Sequence, residues 1–315
     1  MTSGQCVGGI PYISDWIGMS DIPLLDASGV TKSFGAVKAL TDAKLTLSKG
    51  QVIALMGANG AGKSTFVKIL TGALKPTAGR VLIRGQEACV GSPAEAQRSG
   101  LVPVYQEPSL IPDLNVADNL TLGDTPVQAF RNWVEELGIE RLKLTDMISD
   151  LPLATLRILD LARALAAKPD VLLLDEMTAA LPTDLVENVL KTVRKQADAG
   201  MGVIYVSHRF TEISNLCDCA TILRDGRTVG ELPIEPGAED RAVELMLGAK
   251  LALGKRHTGV ALRSEGTPQL AARGLASAPK LSDVSFDLFA GEVLGVVALE
   301  GQGQDELFDL LAGIT

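Results

Sequence analysis

The sharpest feature of the chain is a change of pattern at residues 51–70. Gln51-Val52-Ile53-Ala54-Leu55-Met56 is a short apolar run of the kind that forms a buried strand. Gly57-Ala58-Asn59-Gly60-Ala61-Gly62 interrupts it, and Phe66-Val67-Lys68-Ile69-Leu70 resumes with apolar residues at helical spacing. The pattern predicts a strand, a glycine-rich loop and a helix start.

Upstream, Leu24 to Leu47 reads as two strands round a turn, with Phe34-Gly35 in the connection and Lys49-Gly50 as a turn. Downstream, Arg80 to Gly85 reads as an edge strand. Ser92-Pro93-Ala94-Glu95 reads as a helix start with a serine cap, a proline in the first turn and then an acid. Gly100 to Glu107 predicts a strand ending in polar residues, and 112–165 is mostly helical by period. Val171-Leu172-Leu173-Leu174 closes on Asp175-Glu176, and Gly202-Val203-Ile204-Tyr205-Val206-Ser207 closes on His208. Buried strands alternating with helices imply an α/β fold with a parallel sheet covered on both faces. Ligands in such sheets sit at the strands' carboxyl ends, where Met56, Gln106, Asp175, Glu176 and His208 all fall.

Composition narrows the classes. Net charge is −9, which argues against a nucleic-acid partner held by a basic surface. Four cysteines with only the close pair Cys217-Asp218-Cys219 read as reduced thiols. No apolar stretch reaches the ~18 residues of a membrane helix, so a membrane link is expected through a partner. Residues 1–21 read as an irregular extension without a cationic start; Met19-Ser20-Asp21 directly precedes the first regular pattern and is a candidate true start.

The chemistry-bearing loop is Gly57-Ala58-Asn59-Gly60-Ala61-Gly62-Lys63-Ser64-Thr65. Its strand-loop-helix context makes G-x-x-x-x-G-K-[ST] a phosphate-binding loop. Glycines let backbone N–H groups curl round a phosphate, and the helix N-terminus favours an anion. Lys63 supplies a point charge for the terminal phosphates, and Ser64 a hydroxyl for Mg2+.

Residues 236–268 shift in composition, and a linker is expected at 248–268 after a domain at 22–247. The pattern then restarts. Residues 39–72 align without a gap to 280–313, with Leu40, Asp42, Leu47, Gly50, Val52, Gly60, Gly62, Leu70 and Gly72 recurring 241 positions later. Residues 269–315 are thus expected to be the beginning of a second domain of the same type. Gln304 stands where Lys63 does, and Asp305 and Glu306 follow, so this copy is expected to have lost phosphate binding. Its apolar run Val293 to Ala298 reads as a strand, and the copy as cut off before that strand's partners.

The set resembles the ATP-binding subunits of ABC transporters, and within them the fused double-ATPase subunits of simple-sugar (ribose/galactose-type) importers. The likeness rests on Lys32 to Leu40, on Val104-Tyr105-Gln106-Glu107-Pro108-Ser109, on Leu174-Asp175-Glu176-Met177-Thr178-Ala179-Ala180-Leu181 and on Ile204-Tyr205-Val206-Ser207-His208-Arg209. The resemblance implies a P-loop NTPase fold of ABC type: a mixed sheet flanked by helices, an antiparallel β edge and a helical subdomain, followed by a partial repeat. It implies ATP and Mg2+ as ligands. Phe34 would stack on adenine, Gly57 to Thr65 would hold the phosphates, and Ser64, Gln106 and Asp175 would serve the metal. Glu176 would orient or deprotonate the attacking water, Gln106 would also sense the permease, and His208 would contact the γ-phosphate. Implied partners are transmembrane permease subunits, a substrate-binding protein acting indirectly, and a second ATPase chain. The implied place is peripheral, on the cytoplasmic face of the cell membrane.

Four features depart from the family pattern. Leu151-Pro152-Leu153-Ala154-Thr155 stands where a Leu-Ser-x-Gly-Gln signature is expected, and Pro152 offers neither hydroxyl nor N–H. The segment between Gly123 and Leu151 is short, Met177 replaces a proline, and the second domain is incomplete. These bear on hydrolysis rather than on ATP binding. They leave a low-activity or regulatory nucleotide-binding subunit, or a truncated importer ATPase, as the alternative.

Overall fold

The computed structural model describes residues 22–87, 92–179, 181–248, 267–278, 280–296 and 303–314. The expectation for the N-terminal extension lies outside them, as does nearly all of the predicted linker. The chain divides into two compact units, Met1–Leu253 and Gly254–Thr315.

In the first unit, β1 (Leu25–Phe34) and β2 (Val37–Leu47) form an antiparallel pair, and β3 (Val52–Gly57) leads through the glycine loop into α1 (Lys63–Leu70). β4 (Ala78–Ile83) and the short β5 (Gln86–Glu87) follow, then α2 (Pro93–Arg98) and β6 (Leu101–Val104). A helical stretch comprises α3 (Val116–Leu122), α4 (Val127–Glu136), one 3-10 turn at Ile148–Asp150 and α5 (Leu153–Ala166). β7 (Val171–Asp175), α6 (Thr183–Asp198), β8 (Gly202–Val206), α7 (Phe210–Leu216), β9 (Cys219–Arg224), β10 (Arg227–Pro233) and α8 (Ala238–Leu247) complete it.

These ten strands make one sheet in the order β5-β4-β1-β2-β10-β9-β3-β8-β7-β6. The β6, β7, β8, β3 and β9 neighbours are parallel, and β10 turns the sheet antiparallel. A single parallel register, Arg227 opposite Asp42, joins β10 to β2. β3 sits between β8 and β9 and is apolar at every position because both its faces are covered. Val52, Ala54 and Met56 point into the core shared with α3 to α6, whereas Ile53 and Leu55 point into the core shared with α1 and the β1-β2 pair. The phosphate loop therefore springs from a strand enclosed on both faces.

The structure corrects several expectations. β4 pairs with both β1 and β5, so the segment Arg80–Gly85 is not an edge; the edge is the two-residue β5. Residues 112–165 are less helical than their period predicts, since 139–147 run without a helix. There Ala117 N–H donates to Leu144 O and Val116 N–H to Asp146 O, so these carbonyls are satisfied by the start of α3 instead. The composition shift at 236 precedes the end of the unit: α8 buries Ala238 and Ala242 against β9 and β10.

In the second unit, β11 (Leu270–Ser277) and β12 (Leu281–Leu288) form an antiparallel hairpin, followed by α9 (Gln304–Ala312). Residues 293–296 form no strand, and Val293 is 96% exposed. An apolar run forms a parallel strand only when neighbours take its backbone bonds, and no described residue does so here. Gly303 (φ 99) lies where a Cβ would come within 2.9 Å of Lys280 O; Gly62 (φ 103) is in the same position, 2.7 Å from Ala39 O.

Candidate functional site

The loop after β3 is shaped by two close approaches. A Cβ on Gly57 would lie 2.5 Å from Leu223 O of β9, and one on Gly62 would lie 2.7 Å from both Ala39 O and Leu40 Cδ2. Neither position has room for a side chain, so the backbone itself lines the site. Gly62 caps α1 without a side-chain hydrogen bond, leaving the first amides of the helix free. Ala61 is buried, and its carbonyl accepts from Gly226 N–H at 3.0 Å, which ties the loop to the β9-β10 turn.

Lys63 folds back on the loop. Its Nζ donates to Gly57 O at 2.7 Å and to Ala58 O at 3.2 Å. Burial lowers its pKa from the ordinary lysine value, and the nearby Glu176 and Asp175 carboxylates act in the opposite sense.

Those carboxylates come from the end of β7. Asp175 pairs in register with Val206 of β8. Burial first, and the Glu176 charge second, raise its pKa, while Lys63 and Lys68 pull it back. Glu176 then turns out of the strand with φ 48, a conformation that costs a non-glycine residue about 1–2 kcal/mol. Its N–H is held by Val206 O at 2.9 Å. The turn aims Glu176 toward His208, whose Nδ1 lies 3.6 Å from Glu176 Oε1. That is an approach of the two groups, too long for a hydrogen bond.

An open cleft of about 700 Å³ gathers most of these residues. Asn59, Gly60, Gly62, Lys63, Ser64 and Thr65 form one wall, and Gln106, Asp175 and Glu176 another. Gly57, Ala58, Ala61 and His208 are outside the lining, His208 lying beside Glu176. Phe34 is outside the lining. It is half exposed at the end of β1, with Lys32 Nζ 5.2 Å above its ring. On that side the cleft is lined instead by Val37, Lys38 and Ala39 of β2 and by Asp225-Gly226. Sequence reading missed these. Asp225-Gly226 carries a turn signal, but nothing local says which loop it faces. It missed too the buried Glu212, Tyr205 and Arg157 behind the acidic pair. Among the described residues, no cluster of His, Cys, Asp and Glu has the make-up of a protein-only metal site. The set Ser64, Gln106 and Asp175 instead suits a hard cation bound jointly with phosphate oxygens.

A glycine loop on a central parallel strand, a lysine opening the next helix and two acids on the neighbouring strand's end define a P-loop nucleotide-binding cassette. Residues 40–179 match the ABC transporter family. Over that stretch the chain is similar to the ATP-binding cassettes of that family. It is 38% identical over 308 residues to the ribose import ATP-binding protein RbsA 1 of Rhizobium johnstonii, covering 93% of this chain and 59% of that protein. It is 36% identical over 303 residues to the ribose import ATP-binding protein RbsA of Halalkalibacterium halodurans, covering 92% and 60%. The chain thus spans about 60% of the length of the curated relatives it matches. The fold matches a nucleotide-free ATP-binding cassette from an ABC transporter, with TM-score 0.64 and 23% identity over 72% of this chain and 99% of that one. It also matches a dimeric cassette bound to ADP and Pi in a post-hydrolysis state, with TM-score 0.61 and 24% identity over 67% and 99%.

Proposed function

We propose that the first unit binds ATP with Mg2+ and hydrolyses it to energise import of a simple sugar or related small solute. The observation that carries this reading is the convergence on one cleft of the Lys63 loop with Gln106, Asp175 and Glu176. The residues suit the ligand: the glycine positions admit only backbone, and free amides and a lysine meet acids across the cleft.

In this reading the backbone from Gly57 to Thr65 cradles the phosphates, and Lys63 leaves its two carbonyl partners for phosphate oxygens. Ser64, Asp175 and Gln106 would hold Mg2+, which offsets phosphate charge. Glu176 accepts the proton of the attacking water, and His208 orients the terminal phosphate from beside Glu176. Charge on that phosphate needs positioned groups rather than covalent help.

The names of the relatives support a sugar importer. On this reading the partners are membrane permeases, with a substrate-binding protein acting through them, and the position is peripheral on the cytoplasmic face. Among the described residues, no helix is long and apolar enough to cross a membrane. The cassette bound to ADP and Pi is dimeric, which supports a second ATPase chain as partner. Sequence charge supports no nucleic-acid partner.

The test is Glu176→Gln. The amide is nearly isosteric but accepts no proton at neutral pH. ATP binding should persist while turnover is lost; turnover at the wild-type rate would remove Glu176 from this role. A second reading, a weakly hydrolysing or regulatory subunit, is favoured by the start of α5. There Pro152 takes the N-cap position with no side-chain cap bond, and Leu153 is half exposed.

A further inference from the structure

The four residues from Glu176 to Ala179 are each held by a different part of the fold. Glu176 N–H donates to Val206 O of β8 at 2.9 Å. Met177 O accepts from Arg157 Nη1 of α5 at 3.0 Å. Thr178 Oγ1 donates to Glu212 Oε2 of α7 at 2.8 Å. Ala179 O accepts from Arg209 Nη2 at 3.0 Å.

The Glu212 carboxylate also gathers the strand end that carries His208. Tyr205 Oη donates to its Oε2 at 2.6 Å and Ser207 Oγ to the same atom at 3.3 Å, while Arg209 Nη1 donates to Oε1 at 3.1 Å. Burial alone would raise the Glu212 pKa, but these hydrogen bonds outweigh it and the net shift is downward. One buried anion therefore sets the register between the loop after Glu176 and the residues on both sides of His208.

Arg157 reaches the same loop from the opposite side. It is buried, one turn into α5, and its Nε has no hydrogen-bond partner among the described residues. A buried guanidinium is costly where an apolar side chain would pack. What it brings is a donor for Met177 O. It makes α5, whose first turn follows Leu151-Pro152, a direct neighbour of the residue after Glu176.

We propose that Glu212 and Arg157 are positioning residues for Glu176 and His208. Glu212 fixes the two groups relative to each other, and Arg157 transmits the position of α5 to Glu176. The proposal rests on the reading of the cleft as an ATP-hydrolysing site. No part of it requires either residue to touch nucleotide.

The experiment uses the full chain carrying Arg157→Met, Thr178→Val, Thr178→Ser or Arg209→Ala. Met and Val keep the volume and remove the donors; Arg209 is exposed enough that its loss leaves the core intact. Amide hydrogen exchange is read at Glu176, Ala179 and Leu181, with the amides of β3 as internal reference. ATP affinity and saturated turnover are measured alongside. Arg157→Met, Thr178→Val and Arg209→Ala should each exchange at least tenfold faster at those amides, with β3 unchanged. Turnover should fall tenfold or more while ATP affinity stays within twofold, and Thr178→Ser should restore both readouts.

Unchanged exchange in the loop, or equal acceleration in β3, would overturn the proposal, as would a loosened loop with wild-type turnover. Wild-type turnover no higher than that of Glu176→Gln would instead sink the hydrolysis reading. The exchange data would then decide by themselves whether these side chains hold the loop.

Discussion

The Lys63 ammonium is held by the carbonyls of Gly57 and Ala58, at the mouth of the loop it would use to bind phosphate. Exchanging those neutral acceptors for phosphate oxygens gains charge-assisted bonds, worth on the order of 2–3 kcal/mol. Lys63→Ala should therefore weaken ATP binding at least tenfold in calorimetry; unchanged affinity would mean the loop does not bind phosphate. Cys217 and Cys219 sit at the other extreme. Both are buried, and burial first of all pushes Cys217 far up and Cys219 up to about 12. Thiols so placed stay protonated and unreactive. At pH 8 neither should react with a disulfide reagent until the chain is unfolded, as peptide mapping would reveal.

At the scale of single elements, the two helix starts nearest the chemistry are built in opposite ways. α1 begins at Gly62 in a left-handed conformation with no room for a Cβ. Gly62→Ala should lower stability by about 1–3 kcal/mol in urea unfolding, because a backbone oxygen and a packed leucine would both have to move. α5 begins at Pro152, whose ring removes the N–H that another residue would present, and Ala154 follows. If this loop closes on the terminal phosphate of a facing cassette, each absent contact costs about 1.5–3 kcal/mol of transition-state stabilisation. Pro152→Ser, Ala154→Gly and Thr155→Gln together should raise turnover tenfold or more. A triple variant no faster than wild type would show that the loop does not limit the rate.

At the scale of the molecule, the first unit presents its cleft at the carboxyl ends of the parallel strands, open to solvent. On the proposed reading, a facing cassette completes it. If the second unit repeats the first as the sequence pattern suggests, Gln304 replaces Lys63 there, and Glu306 of that unit pairs with Lys280 at 3.3 Å. The facing loop should then come from another cassette. Specific turnover is expected to be low and to rise with protein concentration; brisk turnover independent of concentration would refute the dimer logic.

The local pattern from Gln51 to Leu70 was sufficient to identify strand, loop and helix, because glycine spacing and apolar period are properties of short segments. The strand ends carrying Gln106, Asp175, Glu176 and His208 were legible for the same reason. The pattern did not place Phe34, which the β1-β2 turn leaves outside the cleft lining, nor β4, whose edge is covered by a strand too short to leave a period. It also lost α8, because Pro236-Gly237 reads as loop until Ala238 and Ala242 find β9 and β10 to pack against. The bonds among Arg157, Met177, Thr178, Arg209 and Glu212 join three separate segments of the chain. Only the folded sheet brings their donors and acceptors within hydrogen-bond reach, so the fold decides how Glu176 is held, whereas the sequence alone decides that it is there.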